Sequence, residues 1–371
     1  MSVVTDSASP DLAVSDPLSM PDPLALADVS GADAVAVIGA GIAGLACARR
    51  LAGAGIPVRL FDKGRGIGGR IATRRTEAHR FDHGAQYFTT RDERFQPLVE
   101  GWIAAGVVEP WTGPFVVLGD AAAASHHHTM GGDTRYIGVP GMSAIGRALA
   151  TGLTVETGIR VTGLSRDTNR WRLTGTVGAA VELHDLGLFS RVVVAIPSPQ
   201  ATDLLLPAAP DLAARAASAR MEGCWAVMAA YDRSLDLDFA GAFVNGTPLS
   251  WIAREATKPK RSGTEAIVLH GAGDWSEAHL EDTPEEVIEV LLEAFAKAVG
   301  RPLPRPGTAV AHRWRHSRSL APLGVPAVVE RHLGLALCGD WVMGGRVEEA
   351  YLSGLAAADQ LIDGSRESVG P

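Results

Sequence analysis

Cysteine is scarce. Three residues in 371, Cys47, Cys224 and Cys338, with no CxxC spacing, exclude a disulfide framework and a cysteine metal site. They read as reduced core thiols of a cytoplasmic protein. No stretch of about 20 apolar residues is free of breakers, so no membrane-spanning helix is expected. Lys and Arg together number 34 against 42 Asp and Glu, and no basic stripe is interleaved with aromatics. Nucleic acid is therefore not an expected partner. Residues 1–32 have neither the basic nor the apolar region of a secretory signal. They hold five Asp, four Pro and no Lys or Arg, the composition of a disordered leader. No motif anchors a Ser/His/Asp or Cys/His constellation or a metal-ligand set. His126, His127 and His128 are adjacent, so on any regular element they face different ways and cannot converge on one ion; an exposed loop is expected.

What is present begins at residue 34. An apolar run, 34–38, ends in Gly39-Ala40-Gly41-Ile42-Ala43-Gly44, followed by a small-residue helix pattern to about 54. A second, mostly apolar run, 58–61, ends on Asp62. The first run reads as a buried parallel strand. Gly39 permits the tight turn, Gly41 lets backbone approach a pyrophosphate, and Gly44 lets helix pack on strand. The helix N-terminus then offers free N–H groups and a positive dipole end to phosphate. Asp62, about twenty residues on, suits the hydroxyls of an adenosine ribose. A glycine turn that merely packs helix on sheet would not explain Asp62. The fingerprint predicts a dinucleotide site, and alone it does not separate NAD from FAD.

The continuation is Lys63-Gly-Arg-Gly-Ile-Gly68-Gly69-Arg70, then Phe81-Asp82-His83-Gly84-Ala85-Gln86-Tyr87-Phe88-Thr89. The second glycine pair with its arginine resembles FAD proteins of the amine oxidase and phytoene desaturase superfamily. Together with FDxGAQYFTxRDxRF it resembles the renalase-like branch of those flavin oxidases. The resemblance covers nearly all of 33–365. It implies that Arg70 and Lys63 serve the cofactor's phosphates and ribose region. It places Gly84, Ala85 and Gln86 along the isoalloxazine ring, and a backbone group near Val161 at the adenine edge. Read from the residues alone, 81–89 could instead be a hairpin core.

A second signature closes the chain. A strand at 333–338 ends in Gly339-Asp340-Trp341, and Gly344-Gly345-Arg346-Val347 leads into a helix through 361. Asp340 is expected at a ribityl hydroxyl or at N–H groups near the flavin phosphate. The helix starting near Val347 is expected to face the flavin edge that gains negative charge on reduction. Signatures at both ends imply an α/β fold: a Rossmann-type FAD-binding domain, discontinuous in sequence (33–90, 138–200 and 325–365), and a substrate domain (91–137 and 201–324) of antiparallel sheet plus helices. Strands are expected at 115–118, 154–161, 225–231, 241–244, 249–254 and 265–271. Helices are expected at 212–220, with Asp211 as N-cap, and at 283–299, with a Thr283/Glu286 capping box.

His312-Arg313-Trp314-Arg315-His316 is the one dense basic–aromatic cluster. Alternation on a strand separates His312, Trp314 and His316 from Arg313 and Arg315. One face borders the flavin pocket, or the segment is a solvated edge strand. Many amine oxidases of the superfamily place a lysine beside the flavin. Between Gln86 and Arg331 the chain has only Lys258, Lys260 and Lys297, the first two in a charged loop and the third late on an amphipathic helix, so that role reads as vacant. The resemblance therefore implies oxidation of isomeric (2- or 6-) dihydro-NAD(P) to NAD(P)+, with O2 reduced to H2O2. Trp275, His279, Arg313, Trp314 and Trp341 are the expected pocket residues, in positioning roles. An FAD-dependent amine oxidase, a polyene desaturase-like enzyme, and a flavoprotein that senses rather than turns over are the alternatives.

Overall fold

The computed structural model describes residues 34–119, 132–261 and 263–367. The leader and the histidine run 126–128 lie outside the described residues. The first apolar run forms the strand Val35–Ile38, buried throughout. Val58–Asp62 and Arg191–Val194 flank it, both parallel to it. Thr154–Thr157 extends the sheet on one side, and Leu335–Leu337 and then antiparallel Val328–Glu330 extend it on the other. Both faces are covered. Val35 and Val37 pack into one core, Ala36 and Ile38 into another, which is why the strand sequence is continuously apolar rather than alternating.

Glycine sets the packing on one face. The helix Ile42–Gly53 lies against the C-terminal helix Val347–Glu367. A Cβ on Gly354 would collide with the Ala43 carbonyl, and one on Gly44 with the Gly39 carbonyl. Gly39 itself has φ +105, a turn only glycine makes cheaply.

The second six-stranded sheet runs in the order Thr308–Ala321, Arg220–Ala230, Ala266–Gly271, Leu249–Arg254, Gly241–Val244, Phe115–Leu118. Its pairs are antiparallel except the last, which is parallel. The helix Pro284–Ala298 backs it through Val287, Leu291, Ala294 and Phe295. Its first turn carries the expected capping box, with Glu286 N donating to Thr283 Oγ1 and Thr283 N donating to Glu286 Oε2.

Three local expectations are corrected. The strand at 154–161 is two strands, Thr154–Thr157 and Ile159–Asp167, separated at Gly158, whose φ is +74. The helix expected at 212–220 is Pro210–Ala217. Proline takes its first helical position, so Asp211 falls inside the first turn and Ala209 is the N-cap. The segment 91–137 also holds a helix, Gln96–Ala104, which the sequence reading did not predict.

Candidate active site

A cavity of about 1260 Å³ is lined by both six-stranded sheets. Its first end is built by the glycine turn. Gly39, Gly41, Ala43, Asp62 and Lys63 line it, whereas Ala40 and Gly44 do not. Ala40 contributes its backbone: its N–H donates to Asp62 Oδ2 at 2.6 Å, while Gly64 N–H holds Oδ1 at 2.7 Å. The carboxylate is thus aimed by two amides, one from the glycine turn and one from the loop that follows Asp62, with lone pairs left for a ligand. A Cβ on Gly41 would meet no protein atom within 4 Å, so the space it would fill belongs to the cavity. Lys63 donates to Gln200 at 3.0 Å. Burial and then the Arg160 charge lower its pKa. Val161 lines the same end.

Arg70 and Asp340 join the two ends of the chain. Their bidentate pair spans 2.5 and 2.8 Å, and Arg70 also donates to the Ser317 carbonyl at 3.0 Å. Both line the cavity, but each charge is directed first at the other. Gly84 and Ala85 run beside Arg70, with Ala85 N–H on the Arg70 carbonyl at 2.8 Å. A Cβ at Gly84 would strike that carbonyl, so glycine is required there by the close approach of the two backbone segments, whatever lies on the cavity side. Gly339 and Val347 line the cavity near Asp340. Trp341 lines it as well, yet it is a buried structural residue whose indole N–H donates to the Ile196 carbonyl at 2.9 Å.

The remaining pocket predictions divide. Trp314 lines the cavity and donates to the His83 carbonyl at 2.8 Å. It stacks on His83 at 5.2 Å, and His312 stands edge-on to both rings. The alternation on Thr308–Ala321 is as expected, since Arg313 and Arg315 both turn to Glu281 on the other face. Arg313 still borders the cavity, but its guanidinium is held by Glu281 and by the Leu280 carbonyl. Trp275 and His279 do not line the cavity. They stack on each other, ring centroids 4.6 Å apart, and His279 Nδ1 is 2.6 Å from Asp282. The short helix Gly273–Ala278, with His279 as its C-cap, holds both rings outside the pocket.

Sequence reasoning missed the wall facing Gln86. Cys224, Phe243, Ser250, Trp251 and His270 come from four strands of the second sheet and line this end of the cavity with Tyr87. One signal was available: His270 is the only polar side chain in the strand AIVLHG. Burial, with the neighbouring His83, lowers the His270 pKa to about 4, and burial pushes the Cys224 thiol up to about 12. Burial followed by the His312 charge holds His83 at about 4 as well.

Lys258 is the main correction. It sits in no solvated loop: its side chain is fully buried behind Gln86. It donates to Glu255 at 2.7 Å, Asp82 at 3.1 Å and Gln86 Oε1 at 3.2 Å, and its ammonium lies 5.0 Å from the Trp111 ring centre. Arg261 joins the same group through Asp82 and Glu255. Burial opposes the charge on Asp82, but Lys258 and Arg261 overcome it and hold that carboxyl low. Burial raises Glu255, and nearby Asp82 adds to the effect. Lys258 does not line the cavity, whereas Lys260 and Lys297 pair with surface glutamates.

The cavity therefore offers an open glycine turn, an aimed carboxylate, backbone at Gly84–Gln86 and an aromatic far end. These features fit a dinucleotide with one ribose at Asp62 and a planar ring at the second sheet. Among the described residues, no cluster of three metal-ligating side chains occurs and no helix is long and apolar enough to cross a membrane.

Comparison with known proteins agrees with this geometry. Residues 37–102 match the NAD(P)-binding Rossmann-like domain. Residues 111–362, about two thirds of the chain, match the flavin containing amine oxidoreductase model. A carotenoid 3,4-desaturase from Haloarcula japonica is 42% identical over 72 residues, 19% of this chain. The match spans only 14% of that relative's length. Among solved structures, a proposed protoporphyrinogen oxidase from Exiguobacterium sp. 255-15 superposes with a TM-score of 0.70 at 14% identity, covering 91% of this chain and 99% of its own. Cyclohexylamine oxidase from Brevibacterium oxydans gives 0.65 at 15% identity, covering 91% and 100%. At such identities these structures establish the fold alone. The fold, the cavity and the family match together place the chain in the flavin-containing amine oxidoreductase family, as an FAD-dependent oxidoreductase.

Proposed function

We propose that the chain is an oxidase that removes hydride from isomeric (2- or 6-) dihydro-NAD(P), in the renalase-like manner, giving NAD(P)+ while O2 and a proton become H2O2. One observation carries this reading. The end of the cavity facing Gln86 presents no group that readily takes or gives a proton at neutral pH; the charges that border it, Arg313 and Arg315, are arginines paired with Glu281. His270 is neutral above about pH 4, and the Cys224 thiol keeps its proton to about 12. No lysine or carboxylate lines that end among the described residues. A dihydropyridine already carries a transferable hydride and needs neither general acid nor base. FAD, when bound, accepts the hydride and passes the electron pair to O2. The chain binds, orients and excludes water: the rings of Tyr87, Phe243, Trp251 and Trp314 offer flat faces for a pyridine.

The same aromatics favour a second reading. Trp251 lies 5.7 Å from Tyr87 and 4.7 Å from Phe243, ring centre to ring centre, a partial cage that an amine would also fit. The test is anaerobic mixing of the yellow holoenzyme with each isomeric dihydro-NAD(P), with ordinary NADH and with benzylamine-like amines, following flavin absorbance. Rapid bleaching by the isomers is expected. Bleaching by amines alone would overturn the proposal in favour of the second reading.

A further inference from the structure

The buried ion cluster determines which hydrogen-bonding atoms the cavity wall presents. Lys258 has only hydrogens to offer, so the Gln86 atom that faces it is the oxygen. The Gln86 amide nitrogen then spends its two hydrogens on the carbonyls of Asp82 and Gly84. His270 Nε2 lies 3.4 Å from that nitrogen and 3.3 Å from the His83 carbonyl. Gln86 has no hydrogen left for it, and a carbonyl only accepts. Nε2 must therefore carry the hydrogen of the neutral ring and donate to His83, leaving Nδ1 bare. No described group engages Nδ1, and it is not among the buried atoms sealed off without a partner. The residue lines the cavity.

Its neighbours behave alike. The Ser250 hydroxyl hydrogen is spent on the carbonyls of His270 and Gly271, at 3.1 and 3.0 Å. The Cys224 thiol faces the carbonyls of Trp225 and Gly271. Each of these side chains lines the cavity with its hydrogen already committed to backbone.

We infer that His270 and Ser250 form an acceptor-only wall, so the pocket selects substrates that bring their own N–H hydrogens, with His270 as the specificity-determining residue and Lys258 and Gln86 as positioning residues behind it. A primary carboxamide fits this wall: one N–H meets His270 Nδ1 and the other the Ser250 oxygen. An ester or acetyl group in its place brings no hydrogen and leaves two acceptors facing an acceptor. The assignment of the ring hydrogen is independent of the substrate; its use on a nicotinamide carboxamide rests on the function proposed above.

Two measurements test it. In holoenzyme isotope-labelled at the histidine ring nitrogens, correlation of ring carbon-bound hydrogens with both nitrogens reports the tautomer near neutral pH. The His270 signal is assigned by its loss in H270F or in the milder H270Q. A neutral ring with hydrogen on Nε2 is expected; hydrogen on Nδ1, or a charged ring, overturns the inference. This result stands whether or not dihydropyridines reduce the flavin. The second measurement compares KM for isomeric dihydro-NAD with that for its acetylpyridine analogue. The wild type is expected to favour the carboxamide by about tenfold or more, the scale of one unpaired hydrogen bond, and H270F to lose the preference with FAD affinity retained. Equal KM values in the wild type overturn the specificity role.

Discussion

Replacing Lys258 by Met tests whether the ion cluster behind Gln86 supports the pocket. The substitution keeps most of the volume and removes a charge whose side chain has no exposure. Asp82 retains Arg261, Thr73 Oγ1 at 2.6 Å and the Met142 N–H at 2.9 Å. Glu255 retains only Arg261, 3.4 Å away. Stripping one partner from a buried ion pair costs about 3–5 kcal/mol, because the remaining charge stays dry. K258M is expected to lose that amount in denaturant titration at neutral pH. Adding E255Q removes the orphaned charge and is expected to restore about half of the loss. Glu255 supplies the pH signature. Its folded pKa is raised, so its contribution is fullest below the unfolded value of about 4 and is lost as pH rises through the folded value. Without Lys258 that shift widens, so the K258M penalty should grow as pH rises from about 4 towards neutrality. A loss under about 1 kcal/mol, or one independent of pH, would refute the account of the cluster.

Further outcomes follow from single features. Gly44→Ala puts a methyl into the Gly39 carbonyl and should destabilise by about 1–3 kcal/mol in chemical denaturation, since backbone rather than a flexible side chain must move. His83 is lowered to about 4, so its contribution is whole above the unfolded value of about 6.5 and is lost as pH falls through that window; stability should drop by up to about 3 kcal/mol between pH 6.5 and 4 on this account. H83F should flatten that part of the stability–pH profile, which equilibrium unfolding at stepped pH measures.

Legibility in the sequence followed the range of the signal. The strand–glycine–helix unit and Asp62 were readable because each role is local: a turn, a close approach, a residue at fixed spacing. The capping box at Thr283 and the alternation on Thr308–Ala321 were readable for the same reason. Lys258 was not. Its sequence neighbours are polar and breaker-rich, and its burial depends on Asp82, which is 176 residues away. Trp275 and His279 were expected in the pocket from the family resemblance, yet they stack on each other outside the cavity. His270, five residues earlier, was hidden as the one polar position of an apolar strand. Arg70 and Asp340 each suggested a ligand contact; that they would meet each other across 270 residues is a tertiary fact.

The account depends most on the two ends of the chain holding one FAD. Flavin-stripped protein titrated with FAD, followed by flavin fluorescence, tests this directly. One FAD per chain is predicted. Gly41→Val, which fills open cavity without meeting protein, and Val347→Trp, at the opposite signature, should each weaken binding by about 10–100-fold while the fold is retained. Binding of NAD but not FAD, or unchanged FAD affinity in either variant, would contradict it.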